Sequence, residues 1–172
     1  MDTQPQILVP HTEIARRVEE LCQQMAPRLS NDTVVVGLLQ GAFVFMADIV
    51  RGLARQGLTP RTDFMWLSSY GDAREPGRLN VLADLQKSVR GAQVLLVDDV
   101  YDTGNTIRFA VDYLAAKGAV QVLTCLLARK PAAEGLPAPD YLGFDLGDRF
   151  LVGYGLDHAG QGRGIPDLCA LD

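Results

Sequence analysis

Four apolar residues, Val94-Leu95-Leu96-Val97, run directly into the acidic segment Asp98-Asp99-Val100-Tyr101-Asp102-Thr103-Gly104-Asn105-Thr106, and a helical pattern follows. This order leaves few folds open. A Val- and Leu-rich run without polar alternation fits a strand covered on both faces, and such strands belong to parallel sheets wrapped by helices. The periodic Ile107, Val111, Leu114 and Ala115 supply a helix to pack on that sheet. The turn between strand and helix is short and polar. Its backbone N–H groups from Thr103 to Thr106 lie at the free N-terminus of the helix, where unsatisfied donors and the positive dipole end favour an anion. Gly104 lets the chain approach closely, and Thr103 and Thr106 add hydroxyl donors. Asp98 and Asp99, at the strand's carboxyl end, can accept from sugar hydroxyls or hold a hydrated divalent cation. Capping a helix needs one Asp or Thr. Three Asp and two Thr between positions 98 and 106 exceed that need and point to a site for a phosphorylated sugar.

The rest of the chain extends the same architecture. Ile14, Val18, Leu21, Met25 and Leu29 recur at helical spacing from Thr12 onward, with Glu and Arg on the opposite face. Thr33 to Leu39 reads as a buried strand, Phe43 to Gln56 as a helix, Asp63 to Ser69 as a strand and Gly71 to Gly77 as a loop. Strand 94–97, helix 105–117 and strand 120–127 complete an alternating α/β series, which predicts a mostly parallel sheet with helices on both faces. After Pro131 the pattern shortens. Strands at Tyr141 to Phe144, Phe150 to Tyr154 and Leu168 to Leu171 predict a small hood over the carboxyl ends of the main strands, where open α/β sheets bind ligands.

A chain of 172 residues that is 48% hydrophobic suits a single domain spanning 1–172, its core at about 30–130 and its hood drawn from the N-terminal segment and about 131–172. A net charge of −5 with scattered Lys and Arg gives no basic stripe for a nucleic-acid backbone. The apolar run from Val34 to Val50 is broken by Gln40, Gly41 and Asp48 and is too short and polar to cross a bilayer, while Met1 to Pro10 lacks a signal-peptide pattern. Cys22, Cys125 and Cys169 are odd in number and widely spaced, which fits reduced core residues and a cytoplasmic setting. His11 and His158 have no His or Cys partner at metal-ligand spacing and read as surface or supporting residues.

The segment from Val94 to Thr106 resembles the phosphoribosyl-pyrophosphate signature of type I phosphoribosyltransferases, and its Asp-Thr-Gly-Asn-Thr ending is most similar to the hypoxanthine-guanine branch. The resemblance covers nearly the whole chain. The block Gly37-Leu38-Leu39-Gln40-Gly41-Ala42-Phe43-Val44-Phe45-Met46-Ala47-Asp48 matches the family's first pyrophosphate loop and the helix after it, and Ser68-Ser69-Tyr70-Gly71 resembles the start of its mobile lid. Asp140 to Phe144 and Asp148-Arg149-Phe150-Leu151-Val152-Gly153-Tyr154-Gly155-Leu156-Asp157 are similar to the purine-pocket segment, with Arg163 at the expected spacing. The resemblance implies the type I phosphoribosyltransferase fold, phosphoribosyl pyrophosphate and a purine base as substrates, Mg2+ as cofactor and a homodimer or homotetramer with the pyrophosphate loop near an interface.

It also implies roles. Asp98, Asp99, Asp102, Thr103, Gly104, Asn105 and Thr106 would hold the phosphoribosyl group. Gln40, Gly41 and Arg163, with magnesium, would stabilise the leaving pyrophosphate. Gln40 stands where the family often has Lys, in a loop that frequently carries a cis peptide, so one charge is missing. Asp102 would be the catalytic carboxylate that accepts the proton of the purine N–H or offsets the developing charge. Phe150 would stack on the base, Leu151 would offer main-chain groups to its edge, and Asp157 would bind a second magnesium and approach the pyrophosphate, beside the cation at Asp98 and Asp99. The pocket cation that reads the oxygen at purine C6 would be Arg129 counted from Leu127, or Lys130 counted back from Pro131; either prefers a 6-oxopurine over adenine, which favours hypoxanthine and guanine, and Gln40 with the altered Arg129-Lys130 region leaves a shifted base preference such as xanthine as an alternative. Ser69 and Tyr70 would lead the lid that excludes water. A nucleotide-sensing, RNA-binding regulator on the same fold predicts a basic face, which the acidic balance argues against.

Overall fold

The computed structural model describes residues 5–70, 78–133 and 135–171. Six strands form the main sheet in the order β4-β3-β2-β5-β6-β7, with β2 Val34–Leu39, β3 Arg61–Tyr70, β4 Arg78–Ala83, β5 Gln93–Tyr101, β6 Gln121–Arg129 and β7 Tyr141–Asp145. All neighbouring pairs are parallel except β3 with β4. Helices α1 His11–Met25 and α2 Phe43–Arg55 cover one face, and α3 Asn105–Ala116 covers the other. The strand alternation sorts the core accordingly: Val35, Leu95 and Leu127 join Ile14, Leu21, Phe45 and Ile49, whereas Val34, Val36, Leu96 and Leu126 join Ile107, Ala110 and Leu114. Each of the larger buried side chains contributes about 1.5–3 kcal/mol by leaving water.

Three expectations are corrected. The α-helix from Thr12 stops at Met25, because Pro27 has no N–H and its ring clashes with the carbonyl four residues back; a short 3-10 turn, Ala26–Arg28, leaves Leu29 outside the helix but in the core. Strand β5 continues past Val97 to Tyr101, so Asp98 and Asp99, expected at the strand's carboxyl end, lie within it. Strand β7 belongs to the main sheet, pairing parallel with β6 from Cys125↔Tyr141 to Arg129↔Asp145, rather than to the hood. The Arg17 guanidinium donates to the carbonyls of Leu142 and Gly143 and so fixes β7 against α1.

The hood is a separate antiparallel sheet of β1 Gln6–Val9, β9 Leu168–Leu171 and β8 Phe150–Val152. Strand β1 was not foreseen, since four residues before a proline carry too little pattern to identify. In the main sheet the chain leaves β2 towards β3 on one side, and β5 lies on the other, so the loops after β2 and β5 diverge and open a crevice at the carboxyl ends.

Candidate active site

The turn after β2 meets the end of β5 in that crevice. The Leu39–Gln40 peptide is cis, as in the family loop it resembles. Gly41 lies so close to β5 that a Cβ there would stand 1.5 Å from Asp99 Oδ2. The contact borders a cavity of about 320 Å³ whose wall brings together residues distant in sequence. Gly41, Asp99 and Asp102 come from the crevice, Lys130 from the end of β6, and Phe150, Leu151, Asp157 and Arg163 from the hood.

Charge in the cavity is arranged around Arg163. Its guanidinium donates to the Gly155 carbonyl at 2.7 Å and to Gln40 Oε1 at 3.2 Å, and it pairs with Asp157 Oδ1 at 2.6 Å. Asp157 also accepts from the Gly160 N–H at 2.7 Å. Burial pushes the Asp98 carboxyl well above the usual carboxylate range, and the neighbouring Asp99 charge adds to this. Asp99 is raised for the same leading reason, burial. Asp98 does not line the cavity, and among the described residues no group of three His, Cys, Asp or Glu side chains could hold a metal ion. Of the three carboxylates expected to hold metal, Asp99 and Asp157 line this cavity, and Asp157 pairs with Arg163.

Strand geometry sets Arg129 and Lys130 apart. Arg129 is still in β6 and its Nε donates to Asp145 Oδ1 on β7 at 2.6 Å, whereas Lys130 lines the cavity with Nζ 3.9 Å from Asp102 Oδ2. The structure does not bring Arg129 to this wall. Phe150 is 50% exposed, leaving its ring open towards the cavity it lines, and His158 packs edge-on against it at 5.2 Å. That contact gives His158 a place that its sequence context did not signal. Leu151 is buried in β8, and Val100 and Leu156 complete the wall; nothing in two ordinary apolar residues marked them as such.

At the phosphate turn, the residue that caps α3 is Gly104, with φ of 73°, and no side chain caps the helix. Asp102 is thus not a helix cap; it faces the cavity. Thr103, Gly104 and Asn105 border a second cavity of about 510 Å³ between α3 and residues 136–140, where the Tyr101 hydroxyl donates to the Pro137 carbonyl at 3.0 Å. Thr106 lines neither. The turn is therefore a thin wall between two hollows. Ser69 and Tyr70 end β3, opposite Leu79 and Arg78; their side chains, and the expected loop Gly71 to Gly77, lie outside the described residues.

Comparison with known proteins agrees with this geometry. Residues 6–159 match the model of the phosphoribosyl transferase domain. The hypoxanthine-guanine phosphoribosyltransferase of Aquifex aeolicus is 39% identical over 96% of this chain and 94% of its own length, and the hypoxanthine phosphoribosyltransferase of Escherichia coli strain K12 is 36% identical over 94% and 92%. A solved structure of the Trypanosoma cruzi hypoxanthine phosphoribosyl transferase superposes with a TM-score of 0.92 at 27% identity, covering 100% of this chain and 93% of that one. The Staphylococcus aureus enzyme gives 0.89 at 28% identity, covering 97% and 91%. On a family match over residues 6–159 and relatives 36–39% identical along nearly their whole length, the chain belongs to the phosphoribosyltransferase domain family.

Proposed function

We infer that this protein is a purine-salvage enzyme that moves the phosphoribosyl group of phosphoribosyl pyrophosphate onto hypoxanthine or guanine and releases pyrophosphate. The observation that carries the reading is one cavity walled by Asp102, Lys130 and Phe150 on one side and by Gly41, Asp157 and Arg163 on the other. Phe150 stacks on the base while Lys130 donates to the oxygen at purine C6, a contact that adenine's amino group cannot accept. Asp102, 3.9 Å from that ammonium, takes the proton of the purine N–H as the glycosidic bond forms. Backbone N–H groups at the N-terminus of α3, left without a side-chain cap, receive the 5′-phosphate. Arg163 and the Gln40-Gly41 turn take up the charge that grows on the leaving pyrophosphate.

Asp99 and Asp157 are the hard oxygen donors suited to Mg2+, which binds through one or two carboxylates together with substrate phosphates. The raised Asp99 carboxyl fits the same reading, because a bound cation offsets the cost of keeping it ionised in a buried place. When bound, the ion supplies electrostatic stabilisation of the pyrophosphate. The RNA-binding regulator is not favoured: relatives 36–39% identical are named as enzymes, and the net charge is −5.

Two predictions arise here. Lys130→Met is expected to raise the KM for hypoxanthine about 10- to 100-fold, the range for losing one charged hydrogen bond. Arg129→Met should change it little, and steady-state kinetics of both variants checks the assignment. The second concerns assembly. Phe64 and Trp66 alternate with the buried Met65 and stand exposed on the α2 side of β3, with Leu82 exposed on β4 and Phe43 at the start of α2. Such a patch beside the pyrophosphate loop supports a homodimer or homotetramer. Trp66→Glu is expected to shift the particle to the monomer mass in light scattering on a sizing column. Cys22, Cys125 and Cys169 are free and buried, which suits a reducing, cytoplasmic setting. No helix among the described residues is long and apolar enough to cross a membrane.

Ultraviolet absorbance during incubation with hypoxanthine, phosphoribosyl pyrophosphate and Mg2+ tests the reading. Nucleotide should form, and formation should stop when the cation is chelated. No nucleotide with either hypoxanthine or guanine would refute it.

A further inference from the structure

The turn that carries Gly155 is built against its own sequence. Gly153 and Leu156 exchange two hydrogen bonds of 3.0 Å, and the residues between them, Tyr154 and Gly155, have φ of 49° and 103°. Positive φ at both central positions is the backbone hand of a type I′ hairpin turn, which selects Asn, Asp or Gly at the first of them. A tyrosine there is out of place on local grounds. What holds it is distant in sequence. The Tyr154 hydroxyl donates to Asp48 Oδ2 at 2.6 Å, and Asp48 lies on α2, the helix that begins just after the pyrophosphate loop. Burial, followed by the Asp48 carboxylate, raises the Tyr154 pKa, which keeps the hydroxyl a donor.

The tip of this turn presses on the pyrophosphate loop. A Cβ at Gly155 would come within 2.3 Å of the Gly41 carbonyl oxygen, so only glycine lets the two backbones meet. The same turn anchors Arg163 from both ends: the Gly155 N–H donates to the Arg163 carbonyl at 3.0 Å, and the Arg163 guanidinium donates back to the Gly155 carbonyl at 2.7 Å. The Tyr154 N–H bonds the Ile165 carbonyl at 2.8 Å. Arg163 and Gly41 are thus referred to one small turn, which packs against α2 and is hydrogen-bonded to it by the Tyr154 hydroxyl.

We propose that Tyr154 and Asp48 are positioning residues that tether the 153–156 turn and thereby hold Arg163 and the Gln40-Gly41 loop in register for pyrophosphate. The proposal rests on the functional reading above. Neither residue lines the cavity, so neither touches the base. Loss of the tether should therefore act on the pyrophosphate end of the substrate and spare the purine end.

The test compares the intact enzyme with Tyr154→Phe, Asp48→Ala, Asp48→Asn and the Tyr154→Phe/Asp48→Ala double variant. Tyr154→Phe and Asp48→Ala are each expected to raise the KM for phosphoribosyl pyrophosphate, and for pyrophosphate in the reverse reaction, about tenfold, while the hypoxanthine KM stays within about twofold. Asp48→Asn keeps an acceptor oxygen for the hydroxyl and should restore near wild-type values, and the double variant should be no worse than either single one. An unchanged pyrophosphate KM in Tyr154→Phe would overturn the proposal. So would an equal rise in the hypoxanthine KM that tracks a fall in melting temperature, since that is the mark of general loosening. Pyrophosphate binding by calorimetry carries the same comparison if the wild-type chain turns over no purine, an outcome that removes the functional reading and leaves the tether to be judged on binding.

Discussion

Asp102→Asn is expected to lower kcat for nucleotide formation by about two to four orders of magnitude while leaving the KM for hypoxanthine nearly unchanged. The asparagine keeps the size of the side chain and removes its ability to take a proton. Two structural facts make the effect catalytic rather than structural. The helix after the turn is capped by Gly104 without side-chain help, so Asp102 is not needed to start α3. Asp102 is also exposed, so the amide that replaces its carboxylate stays in contact with solvent. Melting temperature should accordingly move little, and a large fall in it together with kcat would contradict the assignment.

The second large effect is steric. Gly41→Ala places a methyl group where Asp99 Oδ2 now lies, at 1.5 Å, with Asp99 Cγ at 2.6 Å. The carboxylate cannot stay, and the other side of Gly41 is closed by the Gly155 turn. Displacing an active-site group by about 1 Å from its working position can cost on the order of 10²-fold in rate. Gly41→Ala should lose at least that much in kcat/KM for phosphoribosyl pyrophosphate. The core beneath, Val35, Leu95 and Val97 against Phe45 and Ile49, does not touch this turn's side-chain space, so circular dichroism should report an intact fold.

Strands β2, β5 and β6 and helices α2 and α3 were legible because their patterns are strong: buried apolar runs for the strands and a regular apolar stripe for the helices. The acidic end of β5 was legible as a site because its carboxylates and hydroxyls exceed any structural need. Besides the short strands β1 and β4, three features were not legible. The end of β5 was placed too early, since the acidic pair after Val97 ends the apolar run, yet the ladder to Leu126, Ala128 and Arg129 of β6 carries the strand through to Tyr101. The place of β7 was missed because a short strand reads alike whether it joins a parallel edge or an antiparallel hood, and only the pairing with Cys125 to Arg129 separates the two. Lys130 could not be told from Arg129 by counting. The alternation of β6 turns Arg129 towards Asp145, and leaving the strand turns Lys130 towards Asp102. Long-range contacts of this kind, including Gly41 on Asp99 and Gly155 on Gly41, leave no local trace beyond the glycines themselves.

The most direct test of the central claim measures pyrophosphate release from phosphoribosyl pyrophosphate and Mg2+ with hypoxanthine, guanine, xanthine, adenine and uracil in turn, for the wild-type chain and for Asp102→Asn. The account predicts fast release with hypoxanthine and guanine, little with adenine or uracil, and a steep loss in the variant. No release with any base, alongside tight binding of nucleotide or phosphoribosyl pyrophosphate, would contradict it and identify a sensor built on the enzyme's fold.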